Sequence, residues 1–154
     1  MRVFKFGGAS VKDAEGIKNV HHVLKTVGYE HVLLVVSAMG KTTNALEEVI
    51  KNYFDKSPEL NSSVQEVKKY HNQIVLDLFE DESHPVFEAV NAQFSDLEYF
   101  LAHNKSPNYN FVYDQIVSFG ELISTTILSH FMSFMGIETQ WVDVRNLVKT
   151  NSNY

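Results

Sequence analysis

The 154-residue sequence has no cysteine, only three prolines and a shortage of positive charge. Without cysteine there is no disulfide framework and no thiolate chemistry, which fits a cytosolic protein. Thirteen Lys and Arg against nineteen Asp and Glu give a formal net charge of -6. That balance excludes a general nucleic-acid or anionic-membrane binder, which needs a basic surface. It leaves room for a small anion, because one lysine and a few backbone amides suffice for a local positive pocket. The opening MRVFKFGG lacks the apolar core and cleavage site of a signal peptide. The apolar-rich stretch Asn110 to Met135 contains Asp114, Gln115, Glu121 and His130, so it reads as a buried helix of a soluble domain rather than a membrane span. The seven histidines are scattered without a metal-ligand spacing, and no metal site is expected.

What is present is ordinary for one globular domain: 44% hydrophobic and 21% charged residues. Val3, Phe4 and Phe6 around Lys5 predict a short strand ended by Gly7-Gly8. Ile17, Val20, His21, Leu24 and Val27 then recur at helical spacing over Asp13 to Val27, with Gly28 as the stop. Val32 to Val36 is continuously apolar, the pattern of a parallel strand covered on both faces. Further helices are expected over Thr43–Phe54, Val64–Phe79, Val86–His103 with Ser83 as N-cap, and Tyr113–Met135. The segment DKSPELNSS reads as a linker. IETQWVDV alternates like a third strand, and Phe131, Phe134 and Met135 read as core. The order predicts an α/β fold with three layers, α/β/α, and a mainly parallel sheet. Three strands are few for a doubly wound domain, so a piece of a longer chain is expected.

Three stretches carry chemistry. In KFGGAS, Gly7 and Gly8 fall at the carboxyl end of the first strand, the edge where open α/β sheets bind ligands. Glycines there admit close approach of a phosphate, while Lys5 adds charge and Ser10 a hydroxyl. The competing reading is a plain tight turn. In VVSAMGKTTN, Gly40-Lys41-Thr42 imitates the end of a P-loop, but Val35 stands where its first glycine belongs. A standard P-loop is therefore rejected. What remains is a set of hydroxyls and an amide at Ser37, Thr42, Thr43 and Asn44, able to bind an anion, with Thr42 or Thr43 capping the next helix.

The third stretch, SFGELIST, lies inside the most apolar helix. Gly120 costs that helix about 1 kcal/mol relative to alanine. Glu121 is the charged exception in the run, and a carboxylate is expensive to bury without a partner. Two readings compete: a carboxylate aimed into a pocket to meet a ligand ammonium, or a solvated residue beside a close-packing glycine.

Taken in order, KFGGASV, VVSAMGKTTN, SFGELIS and the DVR at Asp143–Arg145 resemble the motifs of the aspartate kinases, in the amino-acid kinase superfamily. The resemblance spans the whole chain. It implies transfer of the ATP γ-phosphoryl group to the side-chain carboxylate of L-aspartate, with Mg²⁺, in the route to lysine, threonine and methionine. By match of motif, Lys5 would contact the phosphates, and Gly7, Gly8 and Ser10 would line the phosphoryl path. Ser37 and Thr43 would hold the aspartate, and Glu121 would meet its amino group. Ala9 departs from the usual Thr or Ser.

The same resemblance implies that residues 1–154 are the N-terminal, aspartate-binding portion of a kinase domain. A nucleotide-binding half and regulatory ACT domains would lie elsewhere, and the full-length form would be a homo-oligomer. These residues alone are then expected to turn over no substrate and to bind ATP weakly at best. Alternatives remain: a kinase of the same superfamily acting on another acid, the front of a bifunctional aspartate kinase–homoserine dehydrogenase, and a non-catalytic α/β binding module.

Overall fold

The computed structural model describes residues 1–81 and 83–148. Arg2–Phe6 (β1) and Val32–Val36 (β2) form a two-stranded parallel sheet, with Phe4 opposite Leu34 and Lys5 opposite Val35. They are joined by a 3-10 turn at Gly8–Val11 and the helix Ala14–Val27 (α1). Asp13 starts α1 by accepting the Gly16 amide at 2.8 Å, satisfying one of the donors a helix start leaves open. Its buried residues, Ala14, Ile17, Val20 and Leu24, fall three or four apart and so form one stripe. Gly28 ends it at φ 84°, a backbone conformation that side chains disfavour.

Four more helices follow: Thr42–Phe54 (α2), Leu60–Phe79 (α3), Pro85–His103 (α4) and Tyr109–Phe134 (α5). α5 is the hub, in contact with α1, α2, α3, α4 and β2. Its buried side chains (Ile116, Ile123, Ile127 and Met132 among them) meet Phe94 and Leu97 of α4 and Leu46 and Ile50 of α2 in one continuous core. No helix among the described residues is long and apolar enough to cross a membrane.

The α/β class with a small parallel sheet stands. The helices cover one sheet face, where Phe4, Phe6, Val32, Leu34 and Val36 join the core. On the other face Val3, Leu33 and Val35 are 58%, 49% and 43% exposed, and Lys5 projects among them. The unbroken apolar run of β2 is thus buried on one side only within the described residues.

Several expectations are corrected. The segment 137–143 is not a strand: it makes no ladder with β2, and Val144–Asn146 is a short 3-10 turn. Its side chains bond to α5 instead. The Thr139 hydroxyl lies 2.8 Å from that of Ser129, and Trp141 Nε1 donates to Thr125 at 2.9 Å. A cleft of about 370 Å³ runs beside these residues, lined by Leu33, Leu34 and Trp141. α3 begins at Leu60, so half of the expected linker is helical, and α5 begins at Tyr109, where Asn108 accepts the Phe111 amide. α4 is capped by His84, whose Nδ1 accepts the Val86 amide, and not by Ser83. Phe131 is core, whereas Phe134 and Met135 are exposed. Glu82, within the expected DESHP separator, and the tail after Val148 lie outside the described residues.

Candidate functional site

The chemistry-bearing stretches meet at the loop that leaves β2. The Ser37 amide donates to Phe6 O at 3.1 Å, continuing the ladder past the strand ends. The Gly40 amide then donates to Gly8 O at 3.0 Å, tying the two loops together. A Cβ added to Gly8 would sit 2.6 Å from Ala38 O and 3.1 Å from Gly40 O, so the two backbones are in contact only because this residue has no side chain. Gly7 differs. Its φ of -77° suits any residue, and a Cβ there would meet nothing within 4 Å. The space at the strand end is open, as a cradle for an anion requires.

α5 closes the arrangement from the other side. A Cβ on Gly120 would lie 2.8 Å from Ala38 Cβ, so the helix backbone rests on the loop and the close-packing reading of this glycine holds. The next residue, Glu121, is exposed, yet its Oε1 accepts the Ala38 amide at 3.2 Å. Ser124 Oγ donates to Ser37 O at 2.8 Å from one turn further along. The carboxylate is therefore held at the surface of the loop junction, with capacity left for another donor.

Gly8, Ser37 and Glu121 are thus brought together through the loop 37–40. Lys5 stands one residue before the strand end, on the open sheet face, and forms no ion pair among the described residues. The hydroxyls of Ser10, Ser37 and Thr43 have no hydrogen-bond partner among the described residues and remain available. Thr43 lies in the first turn of α2. Neither threonine caps that helix: the N-cap position is Lys41, and Thr42 Oγ1 donates to Met39 O at 2.6 Å. Beyond the DVR stretch's own contact, in which Asp143 chelates the Arg145 guanidinium at 2.7 to 3.1 Å, Arg145 reaches Ser118 Oγ at 3.5 Å.

His71 stood in no sequence motif, yet it is fully buried against this junction. Its Nε2 lies 3.3 Å from Thr42 Oγ1 and its Nδ1 2.8 Å from Val67 O. Burial holds its pKa down to about 4, so the ring is neutral at physiological pH. The signal was in the spacing: His71 occupies the apolar stripe of α3 with Val64, Val67, Ile74, Val75 and Leu78.

The chain belongs to the amino acid kinase family, whose sequence pattern matches residues 1–153. Within it, the chain is similar to aspartokinases. It is 32% identical to the chloroplastic aspartokinase 1 of Arabidopsis thaliana, over 92% of this chain and 25% of that protein. It is 28% identical to the chloroplastic bifunctional aspartokinase/homoserine dehydrogenase 2 of the same plant, over 97% of this chain and 17% of that one. The structure of Escherichia coli aspartokinase III in complex with aspartate and ADP superposes on the whole chain with a TM-score of 0.84 at 22% identity. That match covers 33% of the bacterial chain and shows the same fold. The chain therefore spans a third or less of each of these proteins.

Proposed function

We propose that this chain forms the acceptor side of an aspartate kinase site, in which the ATP γ-phosphoryl group passes to the side-chain carboxylate of L-aspartate. The observation that carries this reading is the convergence on loop 37–40 of a glycine cradle from β1 and a carboxylate from α5. Its support from relatives is the similarity to aspartokinases and the likeness in fold to one crystallised with aspartate and ADP. In this reading residues 1–154 are the aspartate-binding portion of an amino-acid kinase domain, on the route to lysine, threonine and methionine.

The roles follow from charge and position. Glu121 accepts the substrate ammonium while keeping the Ala38 amide, and Ser37 and Thr43 offer hydroxyl donors to its carboxylates. Lys5 places an ammonium beside the phosphates, with Gly7, Gly8 and Ser10 lining the path. An oxygen of the substrate side-chain carboxylate forms the new P–O bond, the bond from the γ-phosphorus to the β–γ bridging oxygen breaks, and ADP leaves with that electron pair. Catalysis of this kind needs positioning and charge stabilisation more than covalent chemistry.

ATP supplies the phosphoryl group. The open space at Gly7 and Lys5, which forms no ion pair among the described residues, fit its phosphates. Mg²⁺ ordinarily binds through one or two carboxylates together with the substrate phosphates, and among the described residues no group of three or more His, Asp or Glu side chains is arranged to hold a metal ion.

The test is titration of the ¹⁵N-labelled chain with L-aspartate, followed by amide shifts. Saturable shifts at Ser37, Ala38 and Thr43 are expected, lost in Glu121→Ala and kept in Lys5→Ala. Absence of shifts at these amides in the wild type at millimolar L-aspartate overturns the reading.

A further inference from the structure

α3 passes behind both loops of the junction and touches each with adjacent residues. The Tyr70 hydroxyl donates to Lys12 O, at the end of the turn that follows the glycine pair. The same hydroxyl lies 2.6 Å from where a Gly40 Cβ would stand, so it also abuts the loop leaving β2. Next to it, His71 reaches Thr42, and Thr42 in turn holds Met39 O. One helical turn is therefore bonded to Lys12 on one loop, while on the other it packs against Gly40 and reaches Thr42, which holds Met39.

The protons on this connection are fixed by its ends. Val67 O only accepts, so Nδ1 of His71 carries the hydrogen of the neutral ring. Nε2 is then an acceptor, so the single Thr42 hydroxyl proton is shared between Met39 O at 2.6 Å and Nε2 at 3.3 Å. The imidazole is locked in place by Val67 and by the rings of Tyr70 and Phe94, at 5.0 and 5.9 Å between centroids. A buried histidine with no charge to carry and no ligand to touch is a spacer whose shape and acceptor set where Thr42 sits. The site reading leaves both residues without a role.

We propose that Tyr70 and His71 are positioning residues that hold the Gly7–Lys12 turn and the Ser37–Thr42 loop at the separation an anion bound between them requires. This rests on the acceptor-site reading above, and it concerns how the two walls are kept in register rather than what touches the substrate. Neither residue contacts the substrate. Removing either lets the walls part, so the Gly40 to Gly8 bond opens more often and L-aspartate binds more weakly.

Two readouts test it on the chain as it stands. The first is amide hydrogen exchange at Gly40, whose N–H bridges the loops, compared with amides of the β1–β2 ladder in the same sample. Tyr70→Phe removes only the hydroxyl, and His71→Phe keeps the volume but loses both ring nitrogens. Each is expected to speed Gly40 exchange about tenfold relative to the ladder, the scale of one lost hydrogen bond, with His71→Gln restoring part of the protection. The second readout is L-aspartate affinity, expected to fall about tenfold in Tyr70→Phe and His71→Phe. Gly40 exchange that moves no more than the ladder in both variants overturns the proposal, as does unchanged affinity where exchange has risen. If the wild type binds no L-aspartate, the acceptor-site reading falls, and the exchange comparison alone still decides the clamp.

Discussion

Glu121 Oε1 accepts the Ala38 amide at 3.2 Å across 83 residues of sequence. This contact fixes a carboxylate at the mouth of the loop on a residue that remains exposed. Charge and position can therefore be separated by mutation. Glu121→Gln keeps an acceptor for Ala38 and removes the charge. It should leave unfolding stability within about 0.5 kcal/mol of the wild type and weaken L-aspartate by roughly 10- to 100-fold, the scale of a charge-assisted hydrogen bond. Denaturant melts and an L-aspartate titration of the same variant give the two numbers. An unchanged affinity would make Glu121 a loop support only.

The neighbouring glycines separate folding from binding. Gly8→Ala drives a Cβ to within 2.6 Å of Ala38 O, and a backbone atom cannot swing aside. A loss of about 1–3 kcal/mol is expected, as for other overpacked sites. Gly7→Ala meets open space at an ordinary φ, so stability should hold or rise by about 0.4–1 kcal/mol through the unfolded chain. Its methyl group nonetheless enters the proposed phosphoryl path. Phosphate or nucleotide binding should weaken in the more stable of the two variants, measured by phosphorus NMR beside a thermal melt.

His71 gives the fold an acid sensitivity with a defined sign. Its folded pKa, about 4, lies below the ordinary 6.5 because burial disfavours the charged ring. The unfolded chain therefore binds more protons between those values, and stability rises with pH across that window. The contribution is fully present above 6.5 and is lost as pH falls toward 4, up to about 3 kcal/mol. His130, lowered by partial burial and by the charge of His84, adds a smaller term of the same sign. Urea midpoints at pH 7.5 and pH 5 should differ accordingly, and His71→Gln should flatten the slope.

The lone tryptophan reports on the segment after α5. Trp141 donates to Thr125, and Thr139 lies within hydrogen-bond reach of both Ser129 and Ser133. Thr139→Val removes the shared hydroxyl at a cost of about 1 kcal/mol locally. Trp141 emission should shift to the red while far-ultraviolet circular dichroism stays constant. An unshifted spectrum would mean that the segment is held by other contacts.

Periodic patterns carried much of the fold. The stripe of α1, the Gly28 stop and the bounds of β2 were readable because each depends on neighbours in sequence. Residues 137–143 alternate as a strand would, but a strand needs an edge to pair with, and Thr139 and Trp141 bond to α5 instead. Phe134 looked like core by composition, yet it sits at the rim, with Phe79 at 5.4 Å and His84 at 5.7 Å between ring centroids. The residues of the proposed site all stand in motifs, whereas the contact between His71 and Thr42 spans two helices and no local pattern encodes it.

The open sheet face has a bearing on how the chain behaves in a tube. Val3, Leu33 and Val35 form an exposed apolar patch, and Lys5 completes that face opposite Val35. Stacking two such faces would bury two unpaired ammonium groups against each other, at a cost of several kcal/mol for each ion. The lysine proposed to meet a phosphate thus also guards against sticking, much as a single charge protects an exposed strand. Lys5→Ala should consequently be checked by sedimentation before any loss of binding is credited to chemistry, because that substitution removes the guard along with the charge.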